Sequence, residues 1–124
     1  MTEFPIDLDA VAPEPAERFK TRLRVDLRAA LRARDRDAAR ALRSVIAAVE
    51  NAEAVPVDGH APTVGLATET ARRELSHSDV AAALQREIDE RQEARDVYRE
   101  RGQRSAAETL TAELRALAAY LPNA

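Results

Sequence analysis

Four stretches of the chain carry apolar residues at steps of three and four. That spacing places side chains on one face of an α-helix. The first stretch runs from about Pro15 to Ala33, with Phe19, Leu23, Leu27, Ala30 and Leu31 on its apolar face. The second runs from about Ala38 to Glu53 and carries Ala41, Leu42, Val45, Ile46 and Val49. The third, from about Asp79 to Arg101, is marked by Val80, Ala83, Leu84, Ile88, Ala94 and Tyr98. The fourth carries Ala107, Leu110, Leu114, Leu117 and Leu121.

Start and stop signals flank each stretch. Pro15 suits a first helical turn, where its missing N–H has no helical partner. Asp35 or Asp37 can accept hydrogen bonds from the open N–H groups of the second helix. So short a connection makes the first two helices antiparallel neighbours. Pro56 ends the second helix. Ser76 and Ser78 compete to cap the third, and Ser76 with Asp79 forms a capping-box variant. Gly102 stands where a helix end wants a left-handed residue. Ser105-Ala106-Ala107-Glu108 predicts a capping box at the start of the fourth helix, and Pro122 stops it. Residues 55–66 hold Pro56, Gly59, Pro62 and Gly65 and predict a loop, with a short helical turn over 68–75. Residues 1–15 are acidic, contain three prolines and lack a helical period, so a flexible arm is expected there. The expected fold is all-α: four principal helices as two packed antiparallel hairpins, a disordered arm over 1–15, and a single helical domain over 16–124.

Composition narrows the chemistry. With 124 residues the chain has the length of one domain. It has no cysteine, which excludes disulfides and thiolate metal sites. No apolar run reaches the roughly 18 residues of a membrane span, and the acidic start is unlike a signal peptide, so a cytoplasmic protein is expected. Net charge is −3, yet the segment from Arg18 to Arg43 holds ten basic and three acidic residues. Its arginines Arg22, Arg24, Arg28, Arg32, Arg36, Arg40 and Arg43 form a stripe that is either suited to phosphate oxygens or a plain solvated or intramolecularly paired face. Aromatics are only 3% of the chain, so base stacking has little to work with and contact would be to backbone or shape. The third helix interleaves Glu87, Glu90, Glu93 and Asp96 with Arg86, Arg91, Arg95 and Arg99, which predicts a solvated ion-pair face. His60 and His77 are isolated and make no metal pattern. No Gly-x-Ser-x-Gly elbow or glycine-rich phosphate loop is present. No catalytic residue, metal or cofactor is therefore expected.

Several motifs in order give the chain a family likeness. They are Leu23-Arg24-Val25-Asp26-Leu27-Arg28-Ala29-Ala30, Leu42-Arg43-Ser44-Val45-Ile46-Ala47-Ala48 followed by Asn51-Ala52-Glu53, Arg73-Glu74-Leu75-Ser76, Gly102-Gln103-Arg104 and Tyr120-Leu121-Pro122. In this order they resemble the GatB/YqeY family of small helical proteins, over roughly Leu23 to Pro122. The family's Gly-Arg turn has one residue inserted here. The resemblance implies a non-catalytic accessory protein linked to tRNA-dependent amidotransferase machinery for Glu-tRNA and Asp-tRNA, with tRNA or that machinery as partner. The family label suggests a carbon–nitrogen ligase with glutamine as amido-nitrogen donor. This chain shows no catalytic constellation, so no intrinsic activity is expected. In the family a second, three-helix domain usually follows, shared with the tail of GatB, and this chain is expected to lack it. The alternative is a protein-interaction or dimerisation module with no nucleic-acid role. It would use the fourth helix, where Leu117, Tyr120 and Leu121 are expected to be partly uncovered.

Overall fold

The computed structural model describes residues 14–54 and 73–122. Four helices make up the described part: α1 (Pro15–Arg32), α2 (Arg36–Glu53), α3 (His77–Glu100) and α4 (Arg104–Ala118). The expected arm, the 55–66 loop and most of the 68–75 turn lie outside the described residues. Of that turn, Arg73 to Leu75 are described and carry no helix. The Arg73 N–H donates to the Glu53 carbonyl at 2.8 Å, so the two described segments meet just past the end of α2.

The helices pair as two antiparallel hairpins, α1 with α2 and α3 with α4, as the short connections require. Helix α2 also packs against α3 and α4, and α1 against α3. Contact with all three neighbours buries six residues of α2, among them Ala41, Val45 and Val49, which are wholly inaccessible. One apolar cluster joins them to Leu23 of α1, Leu84 and Ile88 of α3, and Leu117 of α4. Leu75 enters the same cluster just before α3.

Both hairpin turns use one device. After α1, the Arg34 N–H donates to the Leu31 carbonyl at 3.1 Å and the Asp35 N–H to the Ala30 carbonyl at 2.9 Å. After α3, the Gly102 N–H donates to the Arg99 carbonyl at 3.1 Å and the Gln103 N–H to the Tyr98 carbonyl at 2.8 Å. This is the Schellman pattern, and it needs one residue in the left-handed region. Gly102 takes it with φ 71°, as its type suggests; Arg34 takes it with φ 60°.

Boundaries shift at two starts. Helix α2 begins at Arg36, two residues earlier than its apolar period, because Asp35 caps it by accepting the Ala38 N–H at 3.1 Å. Helix α3 begins at His77, with Ser76 as cap: the Ser76 hydroxyl accepts the Asp79 N–H, and the Asp79 carboxylate accepts the Ser76 N–H. The box expected at Ser105 and Glu108 does not form. Helix α4 starts at Arg104 with Gln103 as cap and no side-chain capping bond. The Schellman turn delivers the chain into α4 at once, leaving Ser105 already inside the first turn.

Candidate nucleic-acid interface

The arginine stripe predicted on the first hairpin is divided by the fold into two sets. Three members are held within the molecule. The Arg22 guanidinium lies 4.5 Å from the Tyr120 ring centroid and donates to the Ala119 carbonyl at 3.4 Å. Arg24 pairs with Glu50 at 3.1 Å, joining α1 to α2. Arg40 pairs with Asp37 at 3.0 Å and Glu113 at 2.9 Å; its hydrogen bond to Glu113, then that to Asp37, raises its pKa above the ordinary value. The other four, Arg28, Arg32, Arg36 and Arg43, are exposed and make no ion pair among the described residues.

Those four occupy neighbouring turns at one end of the first hairpin. Arg28 and Arg32 are four residues apart near the end of α1; Arg36 and Arg43 are seven apart on α2. Arg34 stands exposed on the turn between them. An open groove of about 820 Å³ lies at this end, with Ala30, Leu31 and Ala39 as its apolar lining. Arg34, Arg36, Arg40 and Arg43 line it with positive charge, against the one carboxylate of Asp35. Leu31 was expected on the buried face of α1. Its side chain is instead 47% exposed and becomes part of this groove. The groove therefore presents guanidinium forks beside an apolar strip, an arrangement able to hold phosphate oxygens and the less polar groups between them.

At the opposite end of α1, one of the three residues expected to be partly uncovered is not. Leu117 is fully buried in the core, because α4 turns it toward α2 and α3 rather than outward. Tyr120 is half-buried. Its hydroxyl donates to Asp26, and its ring meets Phe19 edge-on with centroids 5.9 Å apart. Burial first, and then the bond to Asp26, pushes the Tyr120 hydroxyl pKa upward. Leu121 remains the exposed one of the three, at 37%.

Two charge clusters centre on buried residues outside the stripe, one of them reaching Arg40. Lys20 and Glu53 are both buried and pair at 2.6 Å between α1 and α2, with Glu17 3.4 Å from the same ammonium. Glu113 of α4 is buried and accepts from Arg40 of α2 and Arg91 of α3, each at 2.9 Å. Arg91 also holds Glu87, at 2.9 Å. The α3 face expected to be solvated is thus enclosed at this point: the Arg91 side chain is only 11% exposed. A signal for both clusters existed in the helical period. Lys20 lies four residues after Ala16 and three before Leu23; Glu113 lies four before Leu117. Among the described residues no buried side-chain nitrogen or oxygen lacks a hydrogen-bond partner.

His77 is exposed in the first turn of α3, and His60 lies outside the described residues. Among the described residues no group of three or more His, Asp or Glu side chains is placed to hold a metal ion. No helix of the described part is long and apolar enough to cross a membrane.

A family model described as Yqey-like protein matches residues 20–124. No curated protein and no solved structure matches the chain. The family match spans all but the first five residues of α1 and everything after it, and on that extent the chain belongs to the YqeY-like family.

Proposed function

We propose that this YqeY-like chain is a non-catalytic accessory module of the tRNA-dependent amidation machinery, working in the cytoplasm and contacting tRNA through its first hairpin. One observation carries the reading: Arg28, Arg32, Arg36 and Arg43 are exposed and without carboxylate partners among the described residues, at one end of a single hairpin. A fold that neutralises Arg24 and Arg40 internally leaves these four for an anion from outside. Arginine forks match phosphate geometry, and counterion release makes such contacts strongest at low salt. The link to amidation rests on the likeness to GatB/YqeY proteins and not on a catalytic group in this chain.

The alternative, a protein partner or second copy docking on α4, is weakened by the burial of Leu117 and the internal contacts of Tyr120. Titration of the full chain with bulk tRNA at two salt concentrations tests the proposal. The expected result is binding that weakens steeply with salt and drops when Arg28, Arg32 and Arg36 are changed to Glu. Absence of binding at low salt overturns it, because electrostatic attraction is greatest there.

A further inference from the structure

Resting on that RNA-binding reading, we infer that the groove at the first hairpin turn seats the sugar–phosphate ridge of a double-helical RNA stem rather than a single strand. Three features of the molecule lead there.

The first is the layout of charge and apolar surface. Arg36 and Arg43 are seven residues apart, about 10 Å along the axis of α2. A strand of a duplex presents its phosphates in series, so two arginines at this separation can each meet a different phosphate of one strand. Arg34 adds a cation at the turn. Between them Leu31, 47% exposed, offers an apolar contact where sugar faces lie between phosphates.

The second is what the groove lacks. The aromatic side chains among the described residues are Phe19, Tyr98 and Tyr120. Phe19 and Tyr120 pack on each other, and the face of Tyr120 is covered by Arg22. Tyr98 is on α3, and none of the three lines the groove. Single-stranded nucleic acid gains affinity by stacking its bases on such rings. A duplex keeps its bases stacked inside and offers phosphates, sugars and shape, which is what the groove can engage.

The third is that the turn is held. The bonds from Arg34 to Leu31 and from Asp35 to Ala30, with the Asp35 cap on α2, tie both helix ends together. The arginines therefore project from a preformed backbone, suited to a ligand that is itself stiff.

The test uses the full chain and three probes: bulk tRNA, a short blunt RNA duplex, and one unstructured strand of equal total charge. Binding is read by fluorescence anisotropy across a salt series. The duplex is expected to bind about tenfold more tightly than the strand at each salt concentration. Arg36→Glu with Arg43→Glu is expected to weaken duplex binding and to lower the salt slope by about one for each arginine removed. Arg86→Glu with Arg104→Glu makes the same change in net charge at exposed positions outside this groove and is expected to leave both nearly unchanged. Circular dichroism confirms that each variant keeps its helices. Equal or tighter binding of the strand overturns the inference and leaves the RNA reading standing. Duplex binding that ignores Arg36→Glu/Arg43→Glu overturns the placement in this groove. No binding of either tRNA or duplex at low salt overturns the RNA reading itself.

Discussion

Lys20 is the only lysine of the chain, and it is buried against Glu53. Two charges taken from water carry a large desolvation cost, which a close pair offsets only while both members are present. Lys20→Met is therefore expected to cost about 3–5 kcal/mol, because it removes the ammonium that faces the buried Glu53 carboxylate. Lys20→Met combined with Glu53→Met should cost far less than the sum, since no buried charge is then left behind. Urea unfolding of the two single variants and the double variant checks this; additive losses would refute it. Arg34 presents the opposite case, a residue in a conformation its type disfavours. The left-handed region costs an L-residue roughly 1–2 kcal/mol, while glycine adds about 0.4–1 kcal/mol of backbone entropy to the unfolded chain. Arg34→Gly is expected to stabilise the protein by about 0.5–1 kcal/mol, seen as a higher urea midpoint at unchanged slope. It also removes a groove cation, so a gain in stability with a loss of tRNA affinity would separate the two roles of this residue.

At the scale of the element, the helix starts differ in what holds them. The Ser76 box makes both reciprocal bonds, so Ser76→Ala is expected to cost about 1 kcal/mol. Ser105→Ala, inside the first turn of α4 and exposed, should change stability by less than about 0.5 kcal/mol. Thermal melts of the two variants compare them directly, and equal losses would contradict the cap assignment. The box also sets an acid dependence. The backbone N–H of Ser76, then its side chain, lowers the Asp79 pKa. A depressed folded-state pKa contributes stability above the unfolded value of about 3.9, and that contribution is lost as pH falls through the folded one. The advantage of wild type over Asp79→Asn should thus be constant near neutral pH and vanish in strong acid. The four helices were legible in the sequence because period and capping chemistry are local, and the same chemistry narrowed the α3 cap to Ser76 or Ser78, of which Ser76 takes it. Ser105 and Glu108 matched the same capping pattern and failed. What decided there was the Schellman turn at Gly102, whose hydrogen bonds reach back into α3 and set where α4 begins.

Across the whole molecule, the division of the arginine stripe could not be read from α1 and α2 alone. Arg40 and Arg43 look alike along the chain. Only the arrival of α4 beside α2 gives Arg40 a buried carboxylate and leaves Arg43 facing solvent. Glu113 is the point where that assembly is fastened, since its two oxygens take Arg40 of α2 and Arg91 of α3. The two bonds have equal length but differ in surroundings. The Arg40 side chain is 53% exposed, so water screens its attraction to Glu113. Arg91 is 11% exposed and also grips the Glu87 carboxylate and carbonyl, so its guanidinium is already oriented for Glu113. Double-mutant cycles on thermodynamic stability should then give unequal couplings. Arg40 with Glu113 is expected to couple only weakly, as exposed pairs do. Arg91 with Glu113 should couple more strongly, because both side chains are largely buried and water screens their attraction little. Raised salt should shrink the first coupling and leave most of the second, since buried pairs are screened much less. A larger or more salt-resistant coupling for Arg40 would mean that α2, rather than α3, supplies the cation that fixes α4 in place.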